Sequence, residues 1–398
     1  MAPDLRALAQ ELTAAADGCG DLSGPDSFVQ RKKILDLTKQ INDEVQDPRE
    51  RSLHYAEAMA EMAALRLLMH WKAFDLIPRP PDSIRYSELA ERLGSDEPLL
   101  RRMLWMLVST GKMNQVGDDR ITHTKFSEIF ARSDPQGRSF RLAYDNGNFA
   151  FSRWPSYFDK YGRKEPDEPT RSPLSYAYGR EDKTFWDIVS GERLEDFNVT
   201  MQMLEHLLPV CGMFPFKWIA ENAHLVADDA PLVVDVGGGQ GQSLRQILKE
   251  CPAIGAERMV LQDRPPVIED AKNRDVPELR AVRKMPHDFF EEQPVKGALV
   301  YYVRRVLHNW SDKNNCMILG HLRDAMAPAS RILITEQVMP NPPAPADAWL
   351  DLCMMGFGSK ERTEQDWHEL ADAAGLEVVD IWKAETSETG VIELKKRQ

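Results

Sequence analysis

A chain of 398 residues is too long for one ordinary core, so at least two domains are expected. Its 63 acidic and 50 basic side chains leave a formal net charge of −13, which argues against nucleic acid as a partner, because phosphate binding needs a concentrated basic face. The five cysteines are scattered, with no C-x-x-C pair or His-Cys cluster, and no apolar run reaches membrane-spanning length, so the expectation is a cytoplasmic protein in reducing surroundings, without disulfides, zinc or membrane contact.

Apolar residues at helical spacing predict helices over 3–16, 30–44 and 51–71, with Pro3 in the first turn of its helix. The third carries Tyr55, Met59, Met62, Leu65, Leu68 and Met69 on a broad face. Such a helix is expected to be buried, either in the core or against a second copy of the chain. Residues 86–94 read as a short helix closed by Gly94, and Ser95 or Asp96 can cap the next, over 98–111. Two strands around Gly117-Asp118-Asp119 complete a helix, turn, helix, wing pattern. Winged helices invite a DNA-binding reading, but Asp118 and Asp119 in the wing would repel phosphate, which favours a scaffold or dimerisation role. Residues 136–225 are dense in aromatics, with helices over 197–209 and 213–223 and a polar, Pro-rich loop over 166–173. Beyond plain packing, such a segment suits the wall of a pocket for a flat apolar substrate.

From residue 231 strands and helices alternate. Strands are predicted over 232–236, 258–262, 279–283, 298–303 and 331–336, with helices between them, one over 311–326. A helix over 364–374 ends at Gly375, and strands over 377–382 and 391–395 follow, with turn chemistry at Thr389-Gly390. Two adjacent strands with no helix between them must pair antiparallel. The fold expected is α/β: a C-terminal Rossmann-like, mostly parallel sheet over 226–398, a helical segment over 136–225 lining a pocket, and a mainly α, winged-helix-like domain over 1–135.

The first strand runs Leu232-Val233-Val234-Asp235-Val236 into Gly237-Gly238-Gly239-Gln240-Gly241. A chain turning sharply from strand to helix, with its backbone pressed against a ligand, needs such glycines. A dinucleotide fingerprint would place another glycine at position 242, where Gln242 stands. The G-x-G-x-G pattern is similar to that of S-adenosylmethionine methyltransferases. Asp263 ends the second strand, where a carboxylate can accept both ribose hydroxyls or cap the helix that begins at Pro265. Asp288 and Phe289 offer a polar edge and a stacking face of the kind that suits an adenine ring. After the fourth strand come Arg304, Arg305, His308, Asn309 and Trp310, with His308 a candidate general base. Glu336, closing the fifth strand, could hold the imidazole tautomer and stabilise the imidazolium, and Glu361 is a second carboxylate candidate. No carboxylate cluster suited to a metal is apparent, and no metal is expected.

The order and spacing of these stretches, with Leu261-Gln262-Asp263-Arg264-Pro265, His287-Asp288-Phe289-Phe290, Thr335-Glu336-Gln337-Val338-Met339-Pro340 and Lys360-Glu361-Arg362-Thr363, resemble the class II, caffeate-type small-molecule O-methyltransferases over residues 30 to the end. The chain is most similar to the fungal branch acting on phenols of polyketide and other secondary metabolism. The resemblance implies that Gly237, Gly238, Asp263, Asp288, Phe289 and Arg304 contact S-adenosylmethionine, that His308 is the base flanked by Glu336 and Glu361, and that Phe197, Asn198 and Met201 lie on the substrate side. It also implies a homodimer built on the winged-helix domain. The family commonly has His-Asp-Trp where this chain has His308-Asn309-Trp310, which bears on substrate contact at Asn309. Some proteins of this fold use the bound cofactor for pericyclic chemistry without methyl transfer; that is the alternative reading, and retention of His308 argues against it.

Overall fold

The computed structural model describes residues 4–20, 27–131, 134–205, 208–385 and 387–397. The chain divides into two compact units, Met1–Asp134 and Pro135–Gln398.

In the first unit, helices span Leu5–Asp17, Phe28–Val45 and Pro48–His70. The Asp4 carboxylate accepts from the Arg6 N–H and the Asp47 carboxylate from the Arg49 N–H, which gives donors at two helix starts their partners. Pro3 lies outside the described residues. The third helix is buried over only part of its length. Ala64, Leu65, Leu68 and Met69 are buried, whereas Tyr55 and Met59 are 64 % and 65 % exposed. Helices Tyr86–Leu93 and Glu97–Ser109 follow, separated at Gly94 with φ 64°. Asp96 takes the cap position without a side-chain hydrogen bond. Strands β1 (Ile84–Arg85), β2 (Met113–Val116) and β3 (Arg120–His123) form an antiparallel sheet in the order β1-β3-β2, the wing expected.

The second unit opens with helix Pro135–Leu142, which is tied to helix Glu192–Glu205 by Arg141. Its guanidinium donates to both oxygens of Asp196, at 2.9 and 2.6 Å, and to Glu192 at 2.9 Å. The helix expected from 197 thus starts earlier, with Glu192 and Glu195 favourably placed in its first turn; residues 206 and 207 of the expected span lie outside the described residues. The helix expected over 213–223 shrinks to Lys217–Glu221, because Pro215 interrupts it and Phe214 and Phe216 turn into the core.

Strands β4 (Val233–Val236), β5 (Met259–Asp263), β6 (Arg283–Pro286), β7 (Val300–Arg304), β8 (Arg331–Met339), β10 (Leu376–Lys383) and β11 (Thr389–Lys396) form one sheet in the order β10-β11-β8-β7-β4-β5-β6, with β9 (Arg362–Thr363) pairing β8. The pairs among β4 to β8 are parallel, and β11 runs antiparallel to both β8 and β10. Successive residues point to opposite faces. Val234, Val236, Tyr301, Val303, Ile332 and Ile334 pack with helices Asp312–Ala325 and Glu364–Ala373, while Val233, Val300, Tyr302 and Leu333 pack with helix Gln242–Glu250. Both faces are therefore covered, as the continuous apolar strands require.

Two expectations are corrected. The third parallel strand is Arg283–Pro286, not 279–283, because Leu279 and Val282 lie outside the sheet and fill the core, Leu279 beneath Gly241. Thr389-Gly390 is not a turn: it opens β11, with Thr389 opposite Gln337 and Gly390 opposite Glu336. A Cβ on Gly390 would come within 2.9 Å of Val338 Cγ2, so this glycine serves strand packing.

Candidate active site

In the sheet order, β5 lies on one side of β4 and β7 on the other, so strand order switches direction at the carboxyl end of β4. Open α/β sheets place ligands at such a point. The glycine turn leaves β4 there, and the loop 305–311 leaves β7 beside it.

Glycine is required at Gly237, where φ is 71° and a Cβ would lie 2.8 Å from Val306 Cγ2, and at Gly238, where it would lie 2.6 Å from Leu261 Cδ1 and collide with the Asp235 carboxylate. The turn is thus packed too tightly for side chains at these two positions, and Gly237, Gly238 and Gly239 line the cleft. Asp235, which sequence reasoning did not single out, lines that cleft fully buried, and neither carboxylate oxygen has a hydrogen-bond partner. Burial raises its pKa; the Arg304 charge opposes this and the Asp263 charge adds to it, for a result of about 7. The only signal in sequence was its place two residues before the glycines, in a run read as core strand.

Asp263 does not cap the following helix, whose cap residue is Arg264. Its Oδ2 accepts from the Gly239 N–H at 2.9 Å and its Oδ1 from the Arg264 N–H at 2.7 Å, so it braces the glycine turn and keeps lone pairs on both oxygens. The Asp288 carboxylate accepts from the Phe290 N–H at 3.0 Å. The Phe289 ring packs under Gly237, 3.7 Å from where a Cβ would stand, and against Trp310 at 6.0 Å between ring centres. Arg304 Nη2 donates to the Leu208 carbonyl at 2.9 Å, which ties the end of β7 to the pocket-lining segment.

His308 lines the cleft while being only 5 % exposed. Its Nδ1 lies 2.8 Å from Glu361 Oε1. A carboxylate accepts, so Nδ1 carries a proton, and in the neutral form of the ring Nε2 keeps its lone pair. Glu361, not Glu336, therefore holds the imidazole. Glu336 Oε1 accepts instead from the Leu307 N–H at 3.0 Å and the His308 N–H at 3.4 Å, fixing the backbone that presents the ring. Each carboxylate keeps one buried oxygen, Oε2, without a partner. Burial pushes Glu361 up, but the His308 charge and hydrogen bond, with Arg305 and Arg362, outweigh it and hold Glu361 below its ordinary value. The fully buried Arg362 donates to Asp312 at 2.6 and 3.0 Å and to the Trp310 carbonyl at 3.1 Å, clamping the loop from behind.

Contrary to the expectation of no such cluster, one ligand atom each of His308, Glu336 and Glu361 lies within 4.8 Å of the others. Hydrogen bonds already engage one atom of each side chain: His308 Nδ1 pairs with Glu361 Oε1, and Glu336 Oε1 accepts from the backbone.

The opposite wall brings Phe197, Asn198 and Met201 of helix Glu192–Glu205 into the same cleft of about 560 Å³, with Phe185, Trp186 and Phe357. Ring centres of Phe185 lie 5.6 Å from Phe197 and 4.5 Å from Phe357, a continuous aromatic surface. Asn309 lines the cleft but spends its amide on the Arg305 carbonyl, donating from Nδ2 at 3.1 Å. An aspartate could not donate that bond.

The model of the O-methyltransferase domain matches residues 175–377. The chain is 38 % identical to "Methyltransferase cfoD" of Aspergillus candidus, with 98 % of each chain covered. Among solved structures it is similar to OxaC in complex with SAH and oxaline, at TM-score 0.81, 25 % identity and 99 % of each chain. Its fold is also that of a structure described as "A Pericyclic Reaction enzyme", at TM-score 0.74, 23 % identity and 99 % of each chain. The chain belongs to the O-methyltransferase domain family, whose methyl donor is S-adenosylmethionine.

Proposed function

We propose that the protein transfers a methyl group to a phenolic or enolic hydroxyl of a small, flat, polyketide-type secondary metabolite, with His308 as general base. The observation that carries this reading is the His308 Nδ1 to Glu361 contact of 2.8 Å, in a ring that lines the same cleft as the glycine turn.

S-adenosylmethionine supplies a methyl carbon already activated on a sulfonium. The residues present fit it: Asp235 offers two unpartnered carboxylate oxygens suited to an ammonium, and Gly237 and Gly238, which have no room for a side chain among their protein neighbours, line the cleft. Gly237, Gly238, Asp263, Asp288, Phe289 and Arg304 would hold it, with Phe197, Asn198, Met201 and Asn309 on the acceptor side. His308 Nε2 removes the hydroxyl proton. A phenol near pKa ~10 is a weak nucleophile at neutral pH until that proton moves. Glu361 stabilises the imidazolium so formed, and Glu336 keeps the ring at its post. The aromatic wall fixes a flat acceptor in line, the main service the protein can render to a displacement at carbon. Likeness to a pericyclic enzyme at this identity concerns the fold alone, and an imidazole oriented by a carboxylate supports proton removal.

We propose further a cytoplasmic homodimer joined through the N-terminal helices, with 1–135, 136–225 and 226–398 as dimerisation, pocket-lining and donor-binding segments. Among the described residues no helix is long and apolar enough to cross a membrane.

The test is His308→Ala. Turnover with labelled S-adenosylmethionine and a panel of aromatic polyketides should fall by roughly 10²–10⁴, with donor affinity nearly unchanged and the residual rate rising with pH. Full turnover with a lowered melting temperature would overturn the reading.

A further inference from the structure

Arg305 has a φ of 57°, in the left-handed region that a non-glycine residue occupies only where its surroundings impose it. Two hydrogen bonds impose it here. The Arg305 N–H donates to the Thr335 carbonyl at 3.2 Å, and Asn309 donates to the Arg305 carbonyl at 3.1 Å. The side chain so placed lines the cleft beside His308 and Trp310.

The neighbouring guanidinium groups are engaged: Arg304 by the Leu208 carbonyl, Arg362 by Asp312. Among the described residues, none makes a hydrogen bond, ion pair or ring contact with the Arg305 guanidinium. Its charge does reach Glu361, which it helps to hold ionised. Asp235, at the glycine end, is the one acidic residue among the described residues lining the cleft, whereas Arg274, Arg304 and Arg305 all line it. The Glu361 carboxylate lies behind the ring of His308 and is not among the lining residues, so the cleft surface around His308 carries the Arg305 guanidinium and aromatic rings but no carboxylate among the described residues.

Resting on the methyl-transfer reading above, we propose that the acceptor carries an ionised oxygen acid, a carboxylate or a vinylogous acid, on its flat skeleton beside the oxygen to be methylated, and that Arg305 pairs with it. The planar guanidinium fork matches two such oxygens at once. It would set the acceptor's register along the aromatic wall, so that the target hydroxyl meets His308 Nε2.

The test is calorimetric titration of protein saturated with S-adenosylhomocysteine, which needs no turnover, so failure of methyl transfer and failure of this proposal are read separately. One arm compares hydroxynaphthoate with naphthol; the other compares ionised hydroxycoumarin with its neutral methoxy ether. The anionic probe should bind tighter in at least one arm, by roughly tenfold or more, and the arm that responds identifies the acid. Arg305→Gln should erase the preference while retaining naphthol and S-adenosylhomocysteine binding, and Arg305→Lys should keep part of it. No preference in either arm, or a preference that survives in Arg305→Gln, would overturn the proposal. If Arg305→Gln does not fold, Arg305→Lys decides: it keeps a charge but not the planar fork, so an undiminished preference there would overturn the proposal.

Discussion

Asp235 is a buried carboxylate without a partner, and its titration gives a sharp residue-level test. Its folded value of about 7 lies above the ordinary 3.8. A raised value means that its contribution to stability is complete below about pH 4 and is lost as pH rises to about 7. Asp235→Asn, which cannot ionise, should therefore gain in melting temperature relative to wild type between about pH 4 and 7, with a constant difference above. S-adenosylhomocysteine, which brings an ammonium, should bind wild type more tightly as pH passes through about 7 and bind the variant without that rise; isothermal titration across the range checks both. The two carboxylates around His308 should differ. Glu361→Gln removes the charge that stabilises the imidazolium and should slow turnover by roughly 10–10²-fold, the equivalent of one charged hydrogen bond. Glu336→Gln should slow it less, since an amide oxygen can still accept from the Leu307 and His308 N–H groups.

At the scale of elements, β11 carries a testable constraint. Gly390→Val would force a side chain against Val338 in the sheet interior and should destabilise by about 1–3 kcal/mol, seen as a lower midpoint in urea. That glycine also shows where sequence was legible. Val233 to Val236 announced a doubly buried strand because every residue is apolar or lies just before the glycines, and β4 is where expected. Arg283–Pro286 is an edge strand with no apolar alternation, so nothing in its composition marked it. Gly390 read as a turn because the reason for its lack of a side chain is a neighbour 52 positions away, on β8. The same holds at the site. His308 was legible from its place after a strand, but whether Glu336 or Glu361 grips the ring depends on how β9 and β8 pair, which is a long-range fact. Asp235 was hidden because a carboxylate inside an apolar strand reads as part of it until the glycine turn is seen bending back over it.

At the scale of the whole molecule, the first unit exposes Leu53, Tyr55 and Met59 along one helix, and Val29, Leu35 and Val45 along another. Apolar surface of this extent is the usual mark of an interface, and a homodimer is the assembly proposed. Light scattering of the full chain should give twice the monomer mass, and Tyr55→Glu with Met59→Glu should shift it towards the monomer.

The proposed base and the pocket wall facing it are anchored to very unequal foundations. Glu336 belongs to β8, which is paired on both sides and packed into the main cores, so the grip on the His308 backbone can open only when the central sheet opens. The aromatic wall rests on a small satellite cluster of Ala150, Leu174, Phe185 and Val189. Stability within a protein is not uniform, and the weaker foundation yields first. On gradual warming, discrimination between bulky and compact acceptors should therefore fade before catalysis itself is lost. A ratio of turnover for two acceptors of different size, followed against temperature, should change below the main melting transition. A constant ratio up to that transition would show that wall and base melt as one unit.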